Sequence, residues 1–471
     1  MTRSDRAGAV LWLACCGQFL VVLDVSVVNV ALPSMRAALG VSEGDLQWVV
    51  NAYALAFGGF LLLGGRLADA YGRRWAFVLG LALFGAASLA GGLAGTAGTL
   101  IAARGAQGLG AAILAPATLT VLTASFPEGA RRTRALAVWT AVSVAGGAAG
   151  NLVGGVLTDY LSWRAILLVN VPVVAVCGVL AVRVLDATAA AGGPGRRPGI
   201  RIDLPGAALV TGGLVLLSFG VARARDLGWG AAVPVAAMAA AVLALAGFVL
   251  VEARWAAAPL MPPRLFRRRP IWLGNVLMLL AGGCYQAPMW YFLTLYMQDV
   301  LGYSAVQAGL GFLPHTLLTV AVGLWLTPRL MARVQHRALI TVGALLAAAG
   351  FWLQSRITPD DGYLSGILGP AVLVSVGGGL FNTPLTTAVT SGVDPADGGA
   401  AAGMMNTAKQ VGGALGLSLL ITLVAGTGRA FVIMAAAMVL VAALATALPG
   451  RRDRRRRAPG CPAVRARSRT P

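Results

Sequence analysis

One carboxylate stands apart from the others in this chain. Most acidic residues, among them Glu43, Asp45, Asp159, Asp203, Asp299 and Asp361, fall between long apolar runs or at their ends, whereas Asp24 lies well inside one. A carboxylate taken out of water holds its proton more tightly, so Asp24 could bind and release a proton as its access to water alternates. It could equally attract a cation, or serve as a hydrogen-bonding node with Ser26 or Asn29. A second isolated charge, Arg104, begins the stretch Arg104-Gly-Ala-Gln107-Gly108 inside another apolar run. A guanidinium at the centre of such a helix costs about 2.5–3.5 kcal/mol on insertion scales. It therefore needs a partner or a wet cavity, unless the side chain reaches back to the interface. His315, beside Pro314, could relay a proton near neutral pH, although a lone histidine is more often a packed residue.

Rings and amides cluster elsewhere. Tyr285, Gln286, Trp290, Tyr291, Phe292 and Tyr296 crowd one run, and Trp48, Asn51 and Tyr53 another. Aromatic faces can stack on planar or cationic molecules, while Trp and Tyr also form ordinary belts at membrane interfaces. Asn29, Asn51, Tyr53, Gln107, Trp290 and Tyr291 are the candidate lining of a small-molecule cavity. The sequence holds no phosphate-binding G-x-x-x-x-G-K-[ST], no metal spacing among its cysteines and two histidines, and no recognisable nucleophile–base pair. The expectation is a transporter rather than an enzyme, with no cofactor or metal, driven by an ion gradient.

These residues need a scaffold, and the composition restricts it. Of 471 residues 58% are hydrophobic and 11% charged, far too few charges for a soluble surface. Apolar runs of about 20 residues, enough to cross a bilayer, recur from end to end, and hydrocarbon admits only helices and closed barrels. Barrel-type alternation is absent. The fold class is therefore all-α integral membrane, with spans near 8–33, 46–64, 75–95, 98–122, 135–157 and 165–184, two more near 205–222 and 231–251, and six near 271–297, 306–327, 338–355, 364–391, 400–425 and 429–449. The domain plan is a six-helix bundle (1–185), a linker (186–204), two additional helices (205–251), a second linker (252–270), a second six-helix bundle (271–449) and a basic tail (450–471).

A formal charge of +20 would suggest nucleic acid in a soluble protein. Here the arginines gather in alternate loops, at Arg66, Arg73 and Arg74, at Arg131, Arg132 and Arg134, at Arg264 and Arg267 to Arg269, and in the tail. Positively charged loops stay cytoplasmic, which places both termini inside the cell membrane and explains the charge without nucleic acid. The tail is expected to lie near anionic headgroups. Cys15, Cys16, Cys177, Cys284 and Cys461 suggest no disulfide framework.

Four patterns carry a family resemblance. Gly65-Arg-Leu67-Ala68-Asp69-Ala-Tyr-Gly72-Arg73-Arg74 follows the second span, Arg104-x-x-Gln107-Gly108 lies in the fourth, Gly146-x-x-x-Gly150-Asn151-x-x-Gly154-Gly155 in the fifth, and Leu23-Asp24-Val-Ser26-Val-Val-Asn29-Val-Ala-Leu-Pro33 in the first. Ser162-Trp163-Arg164 with Asn170-Val-Pro172, Gln298 to Pro314, and Asn406 with Gln410, Gly412 and Gly413 extend the match over essentially the full length. The chain resembles the major facilitator superfamily and, within it, the fourteen-helix drug:proton antiporter branch. The resemblance implies two six-helix bundles plus two extra central helices, 14 transmembrane helices in all, and proton-coupled efflux of a hydrophobic or cationic small molecule by a monomer. It implies a proton-coupling role for Asp24 and Arg104, and a conformational latch in the loop of Gly65, Asp69, Gly72, Arg73 and Arg74. Three departures stand out: Ala70 replaces the usual arginine after the aspartate, Asn151 replaces the proline of the antiporter glycine motif, and Ala137 stands where that motif has its first glycine. The second keeps open a uniporter, or a proton symporter for a metabolite. A non-transporting scaffold or sensor is the alternative of another class, and charges buried in apolar helices argue against it.

Overall fold

The structure, a computed structural model, describes residues 3–126, 129–185, 203–256, 259–261, 263–358, 361–390, 393, 398–424 and 426–449, without the side chains of 3–5, 43, 69, 70, 133, 263, 398 and 399. The basic tail and nearly all of the first linker lie outside the described residues. Among those described there is no strand. The long helices of the first bundle are α1 (Arg3–Leu39), α2 (Glu43–Tyr71), α3 (Arg73–Gly92), α4 (Ala97–Ser125), α5 (Ala130–Tyr160) and α6 (Ala165–Val184). Next come α7 (Leu204–Leu227) and α8 (Ala232–Trp255). The second bundle holds α9 (Arg269–Val300), α10 (Ala305–Arg333), α11 (His336–Gln354), α12 (Tyr363–Thr390), α13 (Gly398–Leu423) and α14 (Thr427–Ala445).

Among the described residues 13 helices are long and apolar enough to cross a membrane. The helix outside that set, α13, has 26 residues, carries the chain's only lysine, and packs against α2 and α9. It occupies the place of the expected span 400–425. With 37 residues, α1 is about 55 Å long at the helical rise, so its ends project beyond a hydrocarbon core of about 30 Å.

Local chemistry sets several boundaries. Ser42 caps α2 by accepting the Asp45 amide, and Thr96 and Ser304 form capping boxes with Thr99 and Gln307 at the starts of α4 and α10. These hydroxyls satisfy amides that a helix start leaves without partners. Gly72 alone separates α2 from α3, at φ +99°, a conformation that glycine adopts without steric cost. In α6 the helix breaks at Val169, because Pro172 has no amide hydrogen for the Leu168 carbonyl.

Within the first bundle, α2, α3 and α4 pack closely, and α5 lies along α1. Gly64 and Gly108 bring the backbones of α2 and α4 together: a Cβ on either would strike a carbonyl of the other helix, Ala112 or Tyr53. The bundles meet along two seams, α2 with α13 and α5 with α10. The additional helix α7 packs on both α2 and α13, so it lies across a seam, while α8 packs on α7.

Candidate functional site

Asp24 lies in the middle of α1 with no exposed surface, and α2, α3, α4 and α6 converge on it. Arg104 Nη1 donates to Asp24 Oδ2 at 2.5 Å, and Gln107 Nε2 and Asn170 Nδ2 each donate to Oδ1 at 3.1 Å. Arg104 Nη1 also donates to Gln107 Oε1 at 2.8 Å, and its Nε to the Val49 carbonyl at 3.1 Å. Ser88 Oγ accepts from Gln107 at 2.7 Å and from Asn170 at 3.4 Å. The Arg104 guanidinium lies 4.5 Å from the centre of the Tyr53 ring, within the range of cation–π attraction. Asp24, Ser88, Gln107 and Asn170 are fully buried, and Arg104 is 2% exposed.

The geometry decides two questions that the sequence left open. Arg104 does not snorkel; it pairs. Asp24 does not bond Ser26 or Asn29, whose side chains instead return to the carbonyls of Val22 and Val25 in their own helix. Each group depends on its local setting. The break before Pro172 starts a new helical segment at Asn170, and the three-residue spacing of Arg104 and Gln107 puts both on one face of α4. Arg104 and Tyr53 also border a gap of about 20 Å³ at the seam, walled across from them by Gln286, Ala287 and Gln410. The network thus reaches the surface of the opposite bundle.

A cavity of about 500 Å³ lies between the bundles, on the side where Arg66 ends α2 and α13 begins. Gln18, Phe57, Pro116 and Trp139 line it from the first bundle and Asn406 from the second. The opposite side is shut. Arg36 donates to both carboxylate oxygens of Asp299 at 2.9 Å, and Gln298 Nε2 donates to the Val30 carbonyl at 2.7 Å. Asp159 at the end of α5 accepts the first amides of α10, Ala305 at 3.1 Å and Val306 at 2.9 Å. Gly155 and Gly309 allow that contact, because a Cβ on either would strike the facing backbone.

The six residues expected to line a substrate cavity are dispersed and none borders the large one. Asn29 back-bonds within α1, Gln107 belongs to the Asp24 network, and Tyr53 lines only the small gap. Asn51 donates to Ser418 of α13 at 2.9 Å. Trp290 packs on Phe312 and His315, with ring centres at 4.7 and 5.5 Å, and Tyr291 packs edge-on to Phe292. The aromatic cluster of α9 is thereby taken up in packing. His315 is held at 2.7 Å from Ser375 Oγ, far from Asp24 in the other bundle.

Of the expected latch, Gly65 borders the large cavity, and Arg73 and Arg74 line a shallower pocket of about 370 Å³ with Arg6. The Asp69 side chain lies outside the described residues. In α5, Gly146, Gly150 and Gly154 seat the helix on α1. Asn151 is 1% exposed, its Oδ1 takes no hydrogen bond, and α5 runs unbroken past it. Sequence reasoning missed Ser88, Gln18 and Trp139, which carry no signal beyond being polar or aromatic positions in apolar runs. Among the described residues no group of three or more His, Cys, Asp or Glu is placed to hold a metal.

Two helical bundles meeting at a central cavity, with a charged network inside one of them, define a membrane transporter. The Major Facilitator Superfamily model matches residues 14–417, and the chain belongs to that family. It is 55% identical over 462 residues to the cephamycin export protein of Amycolatopsis lactamdurans, covering 95% of this chain and 94% of that one. It is 44% identical over 429 residues to the puromycin resistance protein of Streptomyces alboniger, covering 90% and 82%. Among solved structures, a peptide transporter in complex with sulfate superposes with a TM-score of 0.69 at 16% identity, covering 95% of this chain and 98% of that one; this shows the shared fold.

Proposed function

We propose that this chain is a proton-coupled secondary transporter of the cell membrane, acting as a monomer with both termini in the cytoplasm, and that it exports antibiotic-like small molecules. The export and resistance roles of its relatives support the direction and the substrate type. One observation carries the coupling reading: the enclosed Asp24–Arg104 pair at 2.5 Å beside a seam between the bundles. With Asp24 ionised the two charges cancel. A proton on Asp24 removes its charge while the guanidinium keeps its own, and an uncompensated charge in such surroundings is unfavourable by several kcal/mol. Proton uptake from the outer side breaks the pair and release to the cytoplasm restores it, so the making and breaking of the pair ties proton entry to the conformational change that carries substrate outward.

Given the positive-inside rule, the large cavity faces the cytoplasm, as the loading state of an exporter requires. The loop of Gly65, Asp69, Gly72, Arg73 and Arg74 acts as the latch, its turn held by Gly72. The test is proton movement in proteoliposomes holding a pH gradient. Adding substrate should drive a proton flux with wild-type protein and none with Asp24→Asn. Equal fluxes in both, with substrate still moving, would remove Asp24 from coupling. Substrate movement with no proton flux in either would favour the uniporter.

A further inference from the structure

Among the described residues the charge of the large cavity is one-sided. Arg66 is the only charged side chain among the residues that line it; the Asp69 side chain and residues 394–397 lie outside the described residues. One Arg66 nitrogen donates to the Pro259 carbonyl at 3.3 Å, which leaves most of the five guanidinium donors free. The carboxylate that a cationic substrate would seek is closed off. Asp24 has no exposed surface, its oxygens are taken by Arg104, Gln107 and Asn170, and it lies about 9 Å along α1 beyond Gln18 at the helical rise.

The rest of the lining adds shape and polarity. From Phe57 to Arg66 the wall of α2 extends about 13 Å, with Leu61 and Leu62 between them. Gln18 borders the cavity away from the Arg66 end. Its Nε2 donates to Ser143 at 3.1 Å, while its Oε1 is buried and accepts nothing. An unused buried acceptor of this kind is costly unless a donor reaches it. A volume of about 500 Å³ is within the range that holds drug-sized molecules.

Resting on the transport reading above, we propose that the substrate is an amphipathic organic anion: its acidic group pairs with Arg66, a polar group meets the Gln18 amide, and its apolar body lies along Phe57, Leu61 and Leu62. This is the opposite charge preference to the cationic substrate that the sequence admitted.

The test is binding to the full-length protein in lipid nanodiscs, by calorimetry, with three matched probes. These are N-(2-naphthoyl)glycine, its methyl ester, and the analogue carrying trimethylammonium in place of the carboxylate. The carboxylate should bind at least ten-fold more tightly than either of the others. Arg66→Gln should erase that advantage while leaving ester binding unchanged, which also shows that the variant is folded. Arg66→Lys should retain part of the advantage, and Gln18→Leu should weaken all three probes alike. Tighter binding of the trimethylammonium probe, an advantage that survives Arg66→Gln, or no binding of any probe would overturn the proposal. Binding needs no proton gradient, so loss of coupling in the flux assay with the anion preference intact would fault only the coupling reading.

Discussion

At the scale of residues, the Asp24 network works by geometry as well as charge. Arg104 gives Nε to Val49 and Nη1 to both Asp24 and Gln107, a fork that a lysine ammonium cannot reproduce. Arg104→Lys is expected to lower proton-coupled transport at least ten-fold while the protein still folds; wild-type transport would mean that a positive charge alone suffices. Ser88 acts at one remove, as the shared acceptor that orients Gln107 and Asn170 toward the carboxylate. Ser88→Ala leaves two buried donors short of a partner, at a cost of about 1–3 kcal/mol. It should lower the thermal unfolding temperature in nanodiscs yet keep the proton-to-substrate coupling intact. Asp24 and Arg104 were legible in the sequence because an ionised group in an apolar run is costly and conspicuous. Their pairing was not, since they lie 80 residues apart and only the packing of α1 on α4 brings them together.

At the scale of elements, the closed side depends on one helix end meeting another. Asp159 on α5 supplies the acceptors for the first amides of α10, a capping role normally filled from within the same segment and worth about 1 kcal/mol. The Arg36–Asp299 pair beside it is about one-third exposed on each partner, so it adds little by itself. Asp159→Ala should therefore shift the conformational equilibrium toward opening on that side. Spin labels placed in the 40–42 and 302–303 turns should report longer distances in the variant than in wild type, and an unchanged distribution would show that the cap is not part of the gate. The glycines of α5 were readable as a packing motif. What they pack against was not: four of them face α1 in the same bundle, and Gly155 alone faces the other bundle.

At the scale of the whole molecule, α7 lies across a seam between the two bundles. Toward α2 it sets Thr211 against Gly59 and Phe219 near Trp48, with ring centres at 6.4 Å. Toward α13, Thr422 Oγ1 donates to the Val221 carbonyl at 3.0 Å. A helix touching both bundles cannot keep both contacts while they rotate relative to each other. In a protein freed of its own cysteines, one disulfide can join α7 to α2 (Thr211→Cys with Gly59→Cys) and another α7 to α13 (Val221→Cys with Thr422→Cys). At least one should arrest transport until a reductant is added. Wild-type rates with both cross-links formed would show that α7 does not lie on a moving seam. The base of this pair of helices is tied to the cavity wall as well. Glu252, in the wide last turn of α8, accepts the amides of Leu260 and Met261 at 2.9 Å, and Leu260 lines the cavity.

The sequence by itself determined the class of fold, the order of the helices and the two charges set deep inside apolar helices. Each of these follows from local properties: run length against bilayer thickness, glycine and proline at turns, and the cost of an ion in an apolar helix. The six-two-six order was likewise visible in the spacing of the runs, and α13 lies where its span was expected although it carries a lysine. Only the tertiary structure decided that Asp24 is sealed by Arg104, Gln107 and Asn170, that the aromatic cluster of α9 is spent on packing, and that the large cavity is lined by Gln18, Arg66, Trp139 and Asn406. Those facts depend on which faces of separate helices meet, and an apolar run records its length far more clearly than its partner.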